Sequence, residues 1–294
     1  MIPASFDYMV PATLDEAIRA LSSHGENAKL LAGGHSLLPL MKLRLANPKL
    51  LIDLSKIPGL SGIRQDGDKI TIGALTTHYQ IESSGLLNER SPLLPQTARA
   101  IGDVQVRNRG TIGGSLAHAD PAADMPAAML ALGAELRARG PEGERWLKAE
   151  DFFLGLMTTA LSPTEILTEV RVPVSSGSFG TAYLKVPQKA SGFAIVGVAV
   201  WLKAEGQLCT EIGVGVTGLD AKPFRARRVE ERLKGKKLAP GLIEEASSHA
   251  SQGAEPLGDI HASGEFRAHL ARLYTARAIQ EAAKIAGVSL TKGR

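Results

Sequence analysis

Two glycine pairs constrain this chain more than any other feature: Ala32-Gly33-Gly34-His35-Ser36 and Thr111-Ile112-Gly113-Gly114-Ser115. Each stands where an apolar, strand-like run gives way to a turn closed by a hydroxyl residue. Backbone free of side chains at two separate points lets N–H groups approach a ligand closely, as an extended polyanion requires. A fold that uses both must bring two turns, far apart in the chain, to one place.

The rest of the composition leaves room for such a fold. At 294 residues, with 44% hydrophobic and 22% charged side chains, the chain is long enough for two ordinary globular domains. Aromatics make up only 4%, so the core must come from Ala, Leu, Ile and Val. The longest apolar run, 193–202, falls far short of the ~20 residues that cross a bilayer. The start, Met1 to Tyr8, has neither a basic segment nor a long apolar one, so the chain reads as cytoplasmic without a signal peptide. Cys209 is the single cysteine, which excludes an internal disulfide and a thiolate set for zinc or an iron–sulfur cluster. The seven histidines show no metal-binding spacing. The densest charge, eight basic residues within 222–237 beside Glu230 and Glu231, reads as a solvated helix face rather than a nucleic-acid stripe.

Local patterns predict the elements. Thr13-Leu14-Asp15-Glu16 has the form of a capping box opening a helix to about residue 22. Segments 27–32 and 50–54 read as strands flanking a short apolar helix over 37–45, a small βαβ unit. A hairpin follows over 60–73 around Asp66-Gly67-Asp68, then a helix capped by Thr77 with Gln80, and another over 92–101. Residues 106–119 read as a glycine-punctuated turn region, and 121–132 as a helix begun by Pro121. Strands are expected at 134–138, 145–147 and 165–172, and a linker at 173–178. Beyond it come three strands, 181–186, 194–203 and 208–216, then helices near 224–233, 239–251 and 263–285. Strands in a block followed by helices in a block indicate an α+β domain.

Gly213-Val214-Gly215-Val216-Thr217-Gly218 matches the dinucleotide fingerprint G-x-G-x-x-G, but no helix opens at its second glycine. It reads as a strand end and a tight turn. The second glycine pair sits in richer company: Thr111 and Ser115 add hydroxyls, and Asp124 falls in the first turn expected after Pro121. A carboxylate there is stabilised by the helix N-terminus and can accept from sugar hydroxyls.

Ala32-Gly33-Gly34-His35-Ser36 together with Thr111-Ile112-Gly113-Gly114-Ser115, Pro121 and Asp124 resembles the FAD-binding medium subunit of the molybdenum hydroxylases, the carbon monoxide dehydrogenase and xanthine dehydrogenase type. The resemblance covers nearly the whole chain. It implies an α+β architecture: a vanillyl-alcohol-oxidase/PCMH-type FAD-binding domain over 1–175, with a further boundary near 55–58 left open. A smaller domain of three strands plus helices is implied over 179–294. In such proteins the segments matching Leu31, Ala32, Gly33, Gly34, His35 and Ser36, and Thr111, Ile112, Gly113, Gly114 and Ser115, wrap the FAD diphosphate with backbone N–H groups. The position of Asp124 contacts the sugar chain. Ile101 and Leu161 match apolar positions at the isoalloxazine, Lys185 a cation near its pyrimidine edge, and Phe193 an aromatic beside it. Many relatives carry Arg-Arg and then an acidic residue before that aromatic, where this chain has Gln188 and Gly192. His35 and His118 read as turn residues rather than bases.

The function implied is electron transfer within a heteromer. A large molybdopterin subunit would oxidise substrate, a small subunit would carry [2Fe–2S] clusters, and FAD on this chain would pass electrons to an external acceptor, in a dimer of heterotrimers. The alternative is a self-sufficient PCMH-type flavin oxidoreductase with its own substrate pocket. A basic binding module centred on 222–237 is a third reading, of a different class.

Overall fold

The computed structural model describes residues 2–290; residue 1 and residues 291–294, the outermost residues of the two expected domains, lie outside the described residues. The N-terminal lobe runs β1 (Asp7–Met9), α1 (Leu14–His24), β2 (Ala28–Leu31), α2 (Leu37–Lys42) and β3 (Leu50–Asp53). The strands form a parallel sheet in the order β1-β3-β2, so β2, α2 and β3 make the expected βαβ unit. Thr13 Oγ1 accepts from Glu16 N, but the Glu16 carboxylate turns to Ala12 N at 2.8 Å, one residue before the box position. Ala17, Ile18 and Leu21 on one face of α1 bury against Leu50 and Ile52.

The middle of the chain builds a second sheet. Its elements are β4 (Ile63–Asp66), β5 (Lys69–Gly73), α3 (His78–Ser83), α4 (Gly85–Arg90), α5 (Leu93–Arg99), α6 (Val104–Arg109), α7 (Ile112–His118) and α8 (Met125–Leu132). There follow β6 (Glu135–Gly140), β7 (Gly143–Lys148), α9 (Ala149–Phe152), β8 (Phe153–Gly155), β9 (Thr158–Thr159) and β10 (Ile166–Pro173). The five-stranded order β4-β5-β10-β6-β7 is antiparallel throughout. One face buries Ile70, Ile72, Leu136, Val170 and Val172 under the helices. The other is a charged ladder: Glu169 takes Arg64 and Arg137 at 2.8 and 2.9 Å, and Glu135 takes Lys69 and Arg171. Arg171 also lies 3.8 Å over the Trp146 ring. Strand alternation thus gives one apolar and one solvated side.

The C-terminal lobe holds β11 (Phe179–Pro187), β12 (Ala194–Glu205), β13 (Leu208–Thr217) and β14 (Phe224–Arg225), then α10 (Arg227–Leu233), α11 (Pro240–Ser247) and α12 (Gly264–Ile285). The three expected strands pair in sequence order, and β14 adds a short fourth to β13 where a helix start was expected. The sheet is covered on both sides, by α12 and by α8. A Cβ on Gly213 or Gly215 would stand 2.0 Å from the carbonyl oxygen of Ala131 or Ala127. The apparent fingerprint is therefore a seat for α8, whose residues are all buried. A helix apolar on every side belongs inside.

Several helices differ from expectation; α4, α6 and α9 stand where none was expected. The Thr111–His118 region is helical, with Thr111 Oγ1 capping Gly114 N. The helix expected from Pro121 begins instead at Met125, because Pro121 O accepts from Thr217 Oγ1 and Gly218 N and Ala123 O from Thr217 Oγ1. Residues 121–123 are thereby held to the end of β13. Of the basic run, Arg227, Arg228 and Arg232 pair with glutamates at the surface, whereas Arg225 pairs inward with Glu230, which is buried and also accepts from Val214 N.

Candidate functional site

The two glycine corners meet. A Cβ built on Gly33 would stand 2.3 Å from the Arg109 carbonyl oxygen and 2.8 Å from Gly110 Cα. On the same seam, Gly114 would place one 3.7 Å from the Ala32 methyl. Between these corners and the loop 188–193 opens a cleft of about 520 Å³, a size ordinary for cofactor sites. Ala32, Gly33, Gly34, His35 and Ser36 line it from one corner, and Thr111, Gly113, Gly114 and Ser115 from the other. Ile101, Asp124 and Phe193 complete the set of expected residues on its wall.

The corners offer different chemistry. The N–H groups of Gly33, Gly34, His35, Ser36 and Leu37 have no protein acceptor among the described residues. Gly34, at φ +77°, bends this run, and consecutive free donors in a concave turn form an anion-binding nest. At the second corner Ile112 N donates to Thr76 O, Gly113 N to Ala74 O at 2.8 Å, and Gly114 N to the Thr111 cap. In this structure the free donors thus lie at the first corner. The second corner supplies room: a Cβ on Gly113 would meet Ala74 Cβ at 2.5 Å.

Four expected residues stand behind the wall rather than on it. Leu31 ends β2, with its side chain toward Gly34. Ile112 is fully buried in the core, and Leu161 packs half-buried against that core. Lys185, its side chain 7% exposed, puts Nζ 2.9 Å from Asp124 Oδ1 and 2.6 Å from Gly192 O. Its charge is thus paired inside the protein with the Asp124 carboxylate.

Asp124 is the N-cap of α8, not a first-turn residue, and its carboxylate makes no cap bond. It accepts instead from the Tyr183 hydroxyl and from Lys185. Burial pushes the Asp124 carboxyl up against the opposing pull of Lys185 and Tyr183, and burial beside that carboxylate holds the Tyr183 hydroxyl well above its usual range. The group ties the end of β11 to the start of α8. Through Gly192 O it also holds the loop that presents Ser191, Gly192 and Phe193 to the cleft.

Sequence reasoning missed Tyr183 and His78. Tyr183 had a signal, since strand alternation puts it on the same face as Lys185. His78 lines the cleft 4% exposed, and burial, aided by His35 and Arg107, lowers its pKa to about 4. The neutral ring is favoured in the fold, so the unfolded chain binds the extra proton between pH 6.5 and 4. The apo chain is expected to lose about 3 kcal/mol of stability as pH falls through that window. Urea unfolding across the range checks this, and His78→Phe is expected to flatten the slope.

With the geometry in place, comparison with known proteins is direct. Residues 4–175 match the FAD binding domain in molybdopterin dehydrogenase, and residues 181–282 the CO dehydrogenase flavoprotein C-terminal domain. The chain belongs to this family of FAD-binding oxidoreductase subunits, and its cofactor is FAD. Among individual proteins, it is 39% identical over 282 residues to the carbon monoxide dehydrogenase medium chain of Hydrogenophaga pseudoflava, covering 96% of this chain and 98% of that one. It is 37% identical to the glyceraldehyde dehydrogenase medium chain of Sulfolobus acidocaldarius, covering 96% and 100%. A solved carbon monoxide dehydrogenase from Hydrogenophaga pseudoflava, lacking the Mo-pyranopterin moiety of the molybdenum cofactor, matches with a TM-score of 0.95 and 40% identity over 97% of this chain and 99% of that chain.

The cleft suits this cofactor on its own geometry. The free donors at 33–37 fit a diphosphate, Gly33 leaves the close approach a Cβ would block, and Ile101 and Phe193 give apolar surface for a ring.

Proposed function

We propose that this chain is the electron-relay subunit of a heteromeric molybdenum hydroxylase in the cytoplasm. Electrons from [2Fe–2S] clusters on a small partner subunit would reach FAD here and leave to an external acceptor. A large molybdopterin subunit would oxidise the substrate, the whole forming a dimer of heterotrimers. The observation that carries this reading is the meeting of the two glycine corners at one cleft, in a chain whose single cysteine, Cys209, is buried. The chain can hold a dinucleotide and cannot hold the clusters.

FAD, when bound, supplies a ring that exchanges electrons one or two at a time. The chain's residues bind and orient it. In this reading the N–H groups of 33–37 hold the diphosphate, and Thr111, Gly113, Gly114 and Ser115 shape the facing wall. Ile101 and Phe193 exclude water from the ring. Asp124 lies on the cleft wall with its carboxylate fixed by Lys185 and Tyr183, and Leu31, Ile112 and Leu161 brace the wall from behind. The functional division is a FAD-binding part over 1–175 and a C-terminal part over 179–294 that contributes the 188–193 loop.

The test is reduction of the FAD-loaded chain by candidate substrates, alone and with its co-purifying partners. Reduction only in the presence of an iron–sulfur and a molybdopterin chain is expected. Substrate-dependent reduction by the isolated chain contradicts the relay role and favours a self-sufficient flavin oxidoreductase.

A further inference from the structure

One buried polar side chain on the cleft wall has no hydrogen-bond partner among the described residues. His78 is the first residue of α3, and its backbone N–H donates to Gly110 O at 2.9 Å. Its ring lies against Gly110, where a Cβ would stand 2.9 Å from Cδ2 and 3.3 Å from Nε2. Gly110 in turn abuts Gly33, so this imidazole backs the seam between the two corners. Neither ring nitrogen has a hydrogen-bond partner among the described residues. Nδ1 is sealed away from solvent, which leaves Nε2 as the nitrogen a ligand in the cleft can reach. A buried polar group without a partner is rare enough in proteins to require an explanation.

We propose that His78 binds FAD directly, as a neutral imidazole donating its Nε2–H to an oxygen of the bound dinucleotide. The inference rests on the reading of the cleft as the FAD site. The tautomer follows from the surroundings: a proton on sealed Nδ1 would be a stranded donor, so the single proton belongs on Nε2. A second proton is opposed by burial and by the nearby charges of His35 and Arg107. Cofactor binding thus completes a hydrogen bond that the protein alone leaves open.

The experiment is titration of FAD into the full-length apo chain at neutral pH, for wild type, His78→Phe and His78→Gln. Phenylalanine keeps a ring of similar size without a donor, and glutamine keeps an N–H at comparable reach. His78→Phe is expected to weaken FAD binding about tenfold or more, the worth of one hydrogen bond to a charged group, while the apo chain melts no lower than wild type. His78→Gln is expected to recover part of the affinity. Nitrogen-15 spectra of labelled histidine are expected to show the Nε2–H tautomer in the FAD-bound chain, whatever the variants' folding. Equal FAD affinity in His78→Phe, or an Nδ1–H tautomer with FAD bound, overturns the inference alone. A wild-type chain that takes up no FAD overturns the cleft reading and this inference with it.

Discussion

Gly33→Ala is expected to leave the purified chain with little FAD. The added methyl would overlap the Arg109 carbonyl oxygen, at 2.3 Å, and Gly110 Cα, at 2.8 Å; both are backbone atoms that cannot swing aside. Relief requires one corner to move, and the moving corner is either the one with the free donors or the wall facing it. Overpacking of this kind costs about 1–3 kcal/mol, which appears as an affinity for FAD lower by about tenfold to a hundredfold. Gly85→Ala is the control, because a Cβ there has nothing within 4 Å. The measurement is FAD per chain after purification, followed by titration of the apo forms. Wild-type affinity in Gly33→Ala would mean that the two corners do not hold the cofactor between them.

Removing the Asp124 carboxylate is expected to be the most destabilising single change at the site. Asp124→Ala would leave the Lys185 ammonium 7% exposed with only Gly192 O to face, and would strand the Tyr183 hydroxyl. Breaking a buried pair from one side typically costs about 3–5 kcal/mol. The double variant Asp124→Ala, Lys185→Met removes the stranded charge, so it is expected to be more stable than Asp124→Ala alone. Urea unfolding of the four chains in the cycle measures the coupling. Losses that simply add would show that the pair is not a unit. FAD affinity is expected to fall along with stability, because the same lysine holds the carbonyl of Gly192 in the loop beside Phe193.

Much of this fold is written locally. The βαβ unit, the 66–69 hairpin, the Thr77 cap and the long α12 each follow from periodicity, turn residues and capping side chains within a few positions. What local pattern hides is tertiary override. Gly113 and Gly114 have poor helix propensity, yet α7 forms because Thr111 caps it and Ala74 leaves no room for any larger residue at position 113. Pro121 looks like a helix start, but its carbonyl is claimed by Thr217 and Gly218, nearly a hundred residues later. The corners of the site were legible because glycine pairs are rare signals of close approach. The pairing of Lys185 with Asp124 was not, since the two are distant in sequence and only the folded chain shows that their charges neutralise each other. Ile112 and Leu161 show a simpler limit: an apolar residue beside a site points toward the ligand or into the core, spacing alone does not choose, and here both pack on the core.

The central claim is that one cleft, closed by two glycine corners, holds one flavin dinucleotide. Its most direct test is titration of FAD into the apo chain, followed by the quenching of flavin fluorescence. The account predicts saturation at one FAD per chain, with an affinity lower by about tenfold to a hundredfold in Gly33→Ala. A chain that stays colourless after incubation with excess FAD would contradict it.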